Sequence, residues 1–348
     1  MKNNFTRRKF IQSSTIAGLG LAFRGSSVSA RIRNSFLKGT RVGIIGLDTS
    51  HCIAFTKALN DPNAGPEFSG YKVVAAYPTK GSIDIPSSIN RLKTFTEQVN
   101  KQGVEIVNSI DELLEKVDVV LLETVDGRRH LEQALPVIKA GKQLFIDKPI
   151  AASLADTLTI FNAAEKYNVP VFSSSSLRYI TGAKEIEEGK IGKVLGADTY
   201  GPASIEKTHP DMFWYGIHGI EALFAVMGTG CKSIVRTHTD DTDLLVGTWN
   251  DGRVGTYRGT RYPKGNFGGT VFGDKETTVL GEWKGYNPLL IKIIDFFRTG
   301  VVPVSHQETI EIIAFMEAAD ESKLKGGISV ELQTIIERAR KHNKAGIK

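Results

Sequence analysis

From Arg41 onward the chain alternates short, nearly continuous apolar runs with longer stretches in which apolar residues return every three or four positions. RVGIIGL (41–47), YKVVAAY (71–77), VEIVNS (104–109), DVVLLET (118–124), KQLFIDKP (142–149) and VPVFSSSS (169–176) are of the first kind and predict strands. Runs without strict apolar–polar alternation imply strands covered on both faces, as in a parallel sheet. Helices are predicted between them: 51–60, halted by Asp61-Pro62, then SINRLKTFTEQVNKQG (88–103), IDELLEK, HLEQALPVIKAG, and SLADTLTIFNAAEKYN with its serine cap. The second and fourth of these end on glycine, a usual helix stop. Strand and helix in repeated alternation specify crossover connections and a doubly wound sheet.

Beyond about Arg178 the texture changes. LLVGTWNDGRVGTYRGT (244–260) reads as two alternating strands joined at Asn250-Asp251-Gly252, a hairpin signal, and KETTVLGEW as another short strand. PLLIKIIDFFRTG (288–300) and HQETIEIIAFMEAADESKLKGG (306–327) read as helices. The expected architecture is α/β: an N-terminal Rossmann-like doubly wound parallel sheet over 31–178, followed over 179–348 by a C-terminal α+β domain built on an open, mostly antiparallel sheet. A cleft between them is the expected site.

Residues 1–30 stand apart. They combine a basic start, Arg7-Arg8 followed by Lys9-Phe10-Ile11, a mild apolar run and a small-residue end at Ser29-Ala30. This reads as a twin-arginine export signal cleaved near Ala30, which makes the mature protein periplasmic. The apolar run over 16–23 is too short to cross a bilayer, so no membrane span is expected after cleavage. The segment holds five of the chain's 44 basic residues and no acidic one, which leaves 39 basic against 38 acidic residues. The sequence pI near 9.1 therefore gives no reason to expect nucleic-acid binding, and no basic stripe argues for it. Cys52 and Cys231 lie far apart without Cys-x-x-Cys spacing, so they define neither a zinc site nor a disulfide framework. Whether they pair is left open.

The first strand runs into GLDTSH. In the dinucleotide fingerprint G-x-G-x-x-G the first glycine makes the turn, the second admits the pyrophosphate and the third lets helix and strand pack closely. Here the three positions hold Gly46, Asp48 and His51, so only the first is met. The acidic residue expected on the second strand is also missing, since that strand ends in Tyr77-Pro78-Thr79-Lys80. The helix that follows still offers free N–H groups, and Thr49 and Ser50 offer hydroxyls. The candidate cofactor contacts here are Gly46, Leu47, Asp48, Thr49, Ser50 and His51. An Asp48 carboxylate near phosphates is unfavourable unless it turns away or is paired.

LLETVDGRRHLEQALPVIKAGKQLFIDKP is more specific: strand, polar turn, His130, helix, glycine, strand, then Asp147-Lys148-Pro149. A lysine at the carboxyl end of a parallel strand points at the crevice where such sheets bind ligands, where it can donate to a substrate hydroxyl. This stretch resembles the glucose–fructose oxidoreductase, inositol dehydrogenase and MocA family. Its members carry a threonine-proline-asparagine turn with a histidine three residues on, then a strand ending in glutamate-lysine-proline. Here the turn is Val125-Asp126-Gly127, with His130 in place and Asp147 for the glutamate. The resemblance runs from Arg41 to about Tyr179, where Leu177-Arg178-Tyr179 matches an arginine-aromatic pair, and continues more loosely beyond.

The resemblance implies bound NAD or NADP, with Val125, Asp126, His130 and Lys148 among the cofactor residues. It further implies a catalytic pair, Lys148 and His218, the latter within HPDMFWYGIHGIEALFAVMG (209–228). Members often carry an aspartate four residues before that histidine; here the position is Trp214. Glu221 falls one turn beyond His218 on the same helical face. Such a pair lacks a third ligand in the sequence, so no metal is expected. Trp214 and Tyr215 suit the apolar face of a sugar ring. Arg178, Trp214, Tyr215, His218 and Glu221 are the candidate substrate residues.

Other features carry less. The serines at 173–176 lack a nucleophile elbow, and TDDTD (239–243) lacks the glycine and terminal glutamate of a calcium loop. Arg258, Arg261 and Lys264 fit a solvated hairpin end as well as a ligand. Three function classes follow. The leading one is an exported oxidoreductase acting on a sugar, polyol or glycoside with a tightly held nicotinamide, one form of which is redox-assisted glycoside cleavage. The second is a sugar-binding or scaffolding protein that has lost the nucleotide, and the third a cofactor-free lyase or isomerase. The expected partner is a small carbohydrate-like molecule, and a homo-oligomer fits the same family likeness.

Overall fold

The computed structural model describes residues 40–261 and 266–346. The expected export signal and Lys264 lie outside the described residues. The first half is built from β1 (Arg41–Ile45), α1 (Ser50–Asn60), β2 (Lys72–Tyr77), α2 (Pro86–Asn100), β3 (Glu105–Ile106), α3 (Ile110–Lys116), β4 (Val119–Leu122), α4 (His130–Lys139), β5 (Gln143–Ile146), α5 (Leu154–Tyr167) and β6 (Val171–Ser173). All six strands pair in parallel in the order β3-β2-β1-β4-β5-β6. The chain starts at the centre, winds outward one way, then returns and winds the other way, which puts the topological switch between β1 and β4. Strands β4 and β5 are buried at every position, which explains their unbroken apolar sequence. Ser109 and Ser153 cap α3 and α5 by accepting from the N–H groups of Glu112 and Asp156, both at 3.1 Å.

The second half contains α6 (Ala183–Glu187), β7 (Val194–Pro202), α7 (Asp211–Trp214), α8 (Ile217–Met227), β8 (Cys231–His238), β9 (Thr242–Trp249), β10 (Val254–Thr260), β11 (Gly268–Gly273), β12 (Thr277–Leu280), α9 (Asn287–Thr299), α10 (His306–Leu324), β13 (Val330–Glu331) and α11 (Leu332–Gly346). Its sheet is mixed, in the order β12-β11-β7-β10-β9-β8-β13, with β7 and β10 the one parallel pair among the described residues. The expected hairpin is β9–β10, turning at Gly252 with φ 87°. Leu245, Trp249, Tyr257 and Val271 on the inner face are buried, whereas Tyr200, Val254, Phe272 and Val279 are exposed.

Two features were not anticipated. Helix α9 packs on the first sheet: Leu289, Ile293, Phe296 and Phe297 share a core with Ile44, Ala76 and Phe172, and the rings of Phe172 and Phe296 meet edge-on at 4.8 Å. The two sheets are therefore not covered by separate halves of the sequence. The segment around His218 is also broken, with Tyr215 leaving the helical region between α7 and α8, so Trp214 and His218 do not share one helix. Gly219 brings α8 against the second sheet, since a Cβ there would lie 2.1 Å from the Tyr257 ring.

A buried arginine ties these pieces together. Arg236 on β8 is 1 % exposed and donates to Asp243 on β9 (2.7 Å), Asp211 on α7 (2.7 Å) and Asp320 on α10 (2.5 Å). Arg261 also pairs with Asp243 and donates to the carbonyl of Ala203, so it turns inward rather than toward a ligand. Cys52 and Cys231 are both free and buried. Among the described residues no helix is long and apolar enough to cross a membrane.

Removing one partner of a buried, hydrogen-bonded charge set strands the others, at a cost of about 3–5 kcal/mol. Arg236→Ala is expected to lower unfolding free energy by that amount in urea denaturation. Arg298→Ala, which removes the exposed pair with Asp295, should change it by less than about 1 kcal/mol.

Candidate active site

The carboxyl edge of the first sheet is built by the turns after β1, β4 and β5. Gly46 adopts φ 89°, and a Cβ there would lie 2.4 Å from the Thr124 backbone nitrogen, so the first fingerprint glycine keeps its role. Asp48 does turn away. It is fully buried, its Oδ1 accepts from the Val125 N–H (3.0 Å) and its Oδ2 from the Ser88 hydroxyl on α2 (2.5 Å). Burial raises its pKa, and these two hydrogen bonds oppose the rise.

The turn after β4 is held as firmly. Asp126, also fully buried, accepts from the Ser82 hydroxyl (2.5 Å) and the Arg128 guanidinium (2.7 Å), and His209 Nε2 lies 3.2 Å away. Arg128 also pairs with Asp84 at 2.8 Å. Burial would raise the Asp126 pKa, but His209, Arg128 and Ser82 outweigh it and hold the carboxyl well below the usual range. Segment 79–88 is thus tied to the turns of both central strands. His130 is buried between carbonyls, Nε2 at 2.7 Å from Thr124 O and Nδ1 at 2.9 Å from Pro149 O. It fixes the geometry of the two turns rather than facing a ligand.

A cavity of about 380 Å³ opens beside these turns. Thr49, Ser50, His51, Val125, Lys148, Trp214, Tyr215 and His218 all line it. Gly46, Leu47, Asp48, Asp126 and His130 do not; they form the framework behind it. Arg178 and Glu221, expected to face substrate, do not line it either. Arg178 Nε donates to Glu221 Oε1 (2.8 Å) and its Nη2 to Glu308 (2.5 Å), while Ser174 also donates to Glu221 (3.0 Å). Helical spacing put Glu221 beside His218, but a neighbouring guanidinium claims its carboxylate. Ser176 and Leu177 line it too, and Ser87, Arg91, Glu206, Phe267, Trp283 and Tyr286 complete the lining. None of these last six was foreseen as a site residue, because each arrives from a segment whose local pattern gives a helix, strand or loop but not what it faces.

His218 is 7 % exposed, with Nδ1 2.7 Å from the Ser175 hydroxyl oxygen, which also accepts from the Leu177 N–H (3.1 Å). Burial and the nearby Lys148 and His51 charges push its pKa well below the ordinary histidine value. The imidazole is therefore neutral at neutral pH, and with Nδ1 engaged its Nε2 is left for a ligand.

His51 occupies the position of the third fingerprint glycine and has a different setting. Its Nδ1 lies 3.0 Å from Asp147 Oδ1 and 3.5 Å from Glu123 Oε2. Burial opposes its protonation, but the two carboxylates outweigh that and lift its pKa to about 9. Burial and Asp147 raise Glu123. Burial would raise Asp147 too, but His51 and Lys148 hold it below the usual range. Lys148 Nζ stands 3.6 Å from Asp147 Oδ2. Glu123 was not singled out from sequence, although a carboxylate that ends a buried apolar strand is itself a signal.

A central parallel sheet wound in both directions, with a cavity outside the carboxyl ends of its middle strands, defines a Rossmann-type doubly wound fold. Comparison with known sequences is more specific: residues 40–175 match the profile of the oxidoreductase family with an NAD-binding Rossmann fold. Over that segment the chain is similar to the glucose–fructose oxidoreductase, inositol dehydrogenase and MocA family of oxidoreductases. It is 31 % identical over 153 residues to an uncharacterized oxidoreductase of Streptococcus pneumoniae, covering 39 % of this chain and 41 % of that one. With inositol 2-dehydrogenase 3 of Saccharopolyspora erythraea it shares 28 % identity over 165 residues, 45 % of this chain and 43 % of that protein. The chain thus matches about two fifths of the length of these curated relatives. In fold it is similar to a Lactobacillus casei scyllo-inositol dehydrogenase solved with NAD(H) and scyllo-inositol, with TM-score 0.66 and 15 % identity over 85 % of this chain and all of that one.

The residues present accommodate a nicotinamide nucleotide on one condition. With Asp48 held by its hydrogen bonds and withdrawn from the cavity, the start of α1, the Thr49 and Ser50 hydroxyls and Arg91 are left as donors for phosphate oxygens. The condition is that the Ser82–Asp126 and Ser88–Asp48 bonds leave room for the adenosine end.

The Asp126 network makes stability depend on pH. A carboxyl whose folded pKa is depressed contributes stability that is present above its unfolded value, near 3.9, and is lost as pH falls. Urea midpoints measured from pH 6 down to pH 3 should therefore fall on acidification, and Asp126→Asn should lessen that fall while lowering the midpoint at pH 6.

Proposed function

We propose that this protein is an exported nicotinamide-dependent oxidoreductase acting on a ring polyol or sugar. The observation that carries this reading is that Lys148, from the end of the parallel sheet, and His218, from the second half of the chain, line one cavity with the start of α1. Relatives named for inositol dehydrogenation support the polyol class. The flat faces of Trp214, Tyr215, Phe267 and Trp283 supply apolar surface for the C–H face of a ring, and Glu206 and Arg91 supply polar groups for hydroxyls.

A bound nicotinamide supplies the hydride acceptor. The substrate hydroxyl gives its proton to Nε2 of the neutral His218, which Ser175 orients through Nδ1. The Lys148 ammonium donates to the same oxygen and stabilises the negative charge it gains as the carbon–hydrogen bond breaks. The aromatic walls limit water at the reacting carbon.

A second reading, a carbohydrate-binding protein without nucleotide, is favoured by one observation. The Ser82–Asp126 and Ser88–Asp48 bonds tie segment 79–88 across the turns over which a dinucleotide runs. Titration of NAD(H) and NADP(H) against the fluorescence of Trp214 and Trp283 separates the two. Saturable quenching is expected; none with either nucleotide would leave the second reading. With nucleotide and a panel of inositols and pyranoses, Lys148→Ala and His218→Ala should each lower kcat/KM by about 10²–10⁴ with unchanged circular dichroism. Full turnover in both would remove them from the mechanism.

The export proposal rests on Arg7-Arg8 and the small-residue end at Ala30. A route that carries folded protein allows the cofactor to be loaded before export, held tightly and recycled within each turnover. Replacing Arg7 and Arg8 together by lysine is expected to move the protein from the periplasmic to the cytoplasmic fraction in immunoblots. Unchanged partitioning would refute a twin-arginine route.

A further inference from the structure

Behind the cavity wall lies a second group of chemically active side chains, of which His51 reaches the lining while Glu123 and Asp147 stand behind it. His51 enters from the first turn of α1, Glu123 from the residue after β4, and Asp147 from the residue after β5. Their candidate ligand atoms all lie within 4.8 Å of one another. Glu123 and Asp147 have no exposed surface and His51 has 4 %.

Hydrogen bonding leaves this group unsatisfied. Both carboxylate oxygens of Glu123, both of Asp147, and His51 Nδ1 are buried without a properly directed hydrogen-bond partner. The single proton that Nδ1 can carry serves one oxygen at a time, and Lys148 at 3.6 Å is beyond hydrogen-bond distance. Charge alone can be balanced by the imidazolium and ammonium, but four buried carboxylate oxygens facing one N–H is an expensive arrangement. The spacings suit a shared cation instead. Ligand atoms about 2.1 Å from one ion stand about 3.0 Å apart across an octahedral edge and about 3.4 Å across a tetrahedral one. The observed His51–Asp147 and His51–Glu123 separations are 3.0 and 3.5 Å.

The geometry points to a divalent first-row cation site formed by His51 Nδ1, Glu123 and Asp147, set behind the cavity wall and joined to the cavity through His51. One imidazole and two carboxylates form a ligand set suited to Mn²⁺ or Zn²⁺. Three protein ligands leave coordination positions for water or for a hydroxyl of the cavity's ligand. A cation there displaces the proton from His51 Nδ1 and satisfies the orphaned oxygens. It also gives the departures from the glycine fingerprint a purpose: Asp48 locks the turn, and His51 takes the place where a glycine would offer no ligand.

The test uses the mature protein dialysed against EDTA and titrated with Mn²⁺, read by the electron paramagnetic resonance of the free ion, and with Zn²⁺ in competition with a chromophoric chelator. A single equivalent per chain is expected. His51→Ala and Glu123→Gln should each weaken binding at least about tenfold, while His218→Ala, in the same cavity but outside the ligand set, should leave it unchanged. Because a variant can lose binding by misfolding, Co²⁺ absorption gives a second measure: His51→Asp, which retains three ligands but removes the nitrogen, should shift the visible bands rather than abolish them. Absence of saturable uptake by the wild-type chain, or uptake indifferent to all three substitutions of His51 and Glu123, would overturn the site and leave an imidazolium–carboxylate ion pair. None of these readouts uses nicotinamide or turnover, so failure here and failure of the oxidoreductase reading are separately visible.

Discussion

Four carboxylates without any exposed surface stand along the carboxyl edge of the parallel sheet: Asp48, Glu123, Asp126 and Asp147. Bringing ionised carboxylates out of water is among the costliest things a fold can do, and each must be bonded, paired or protonated. How each is compensated determines the rest of the site. Asp48 draws in Ser88 and the Val125 N–H and so locks α2 onto the first turn. Asp126 draws in Ser82, Arg128 and His209, joining three distant segments. Glu123 and Asp147 are left facing His51, with Lys148 just beyond. The same edge that gives other Rossmann domains an uncharged, glycine-lined approach to phosphate is here strongly acidic and internally compensated.

The fold was legible in the sequence to the extent that local patterning controls it. Strands β4 and β5 are buried throughout and read as unbroken apolar runs, and Ser109 and Ser153 sit where caps belong. What escaped was long-range. Nothing in PLLIKIIDFFRTG says that its apolar face will cover the first sheet beside Phe172 rather than the second, because either sheet satisfies the same periodicity. The break at Tyr215 was equally hidden in an apolar segment whose spacing fits one continuous helix.

The site divides along the same line. Lys148 and Val125 follow strand ends and Thr49, Ser50 and His51 open a helix, so topology alone brings them to the cavity. His218 was found through resemblance rather than physics, and Arg178 with Glu221 shows the limit of periodicity. Spacing fixes which face of a helix a side chain leaves from, but not which partner reaches it first; here Arg178, Glu221 and Glu308 close on one another behind the cavity wall. Glu123 and Asp147 are far apart in sequence and adjacent only because β4 and β5 are neighbours in register, Leu122 opposite Ile146.

That register links the two halves of the functional argument. Strands β4 and β5 end level with each other, so the residue after each projects into the same space, one carboxylate from Glu123 and one from Asp147, with Lys148 next in the chain. A cationic lysine beside two buried carboxylates is an unpromising electrophile, since their field offsets the charge it must present to substrate oxygen. Any positive charge placed on the carboxylate pair relieves this, whether a proton shared with His51 or a metal ion. The lysine's charge is then less offset where it already faces the cavity, and His218, pushed toward its neutral form by burial and the nearby positive charges, faces a more positive neighbourhood that keeps it so. On this view His51 is not a damaged glycine. It is the counterweight that lets two acids, a lysine and a neutral histidine coexist around one cavity.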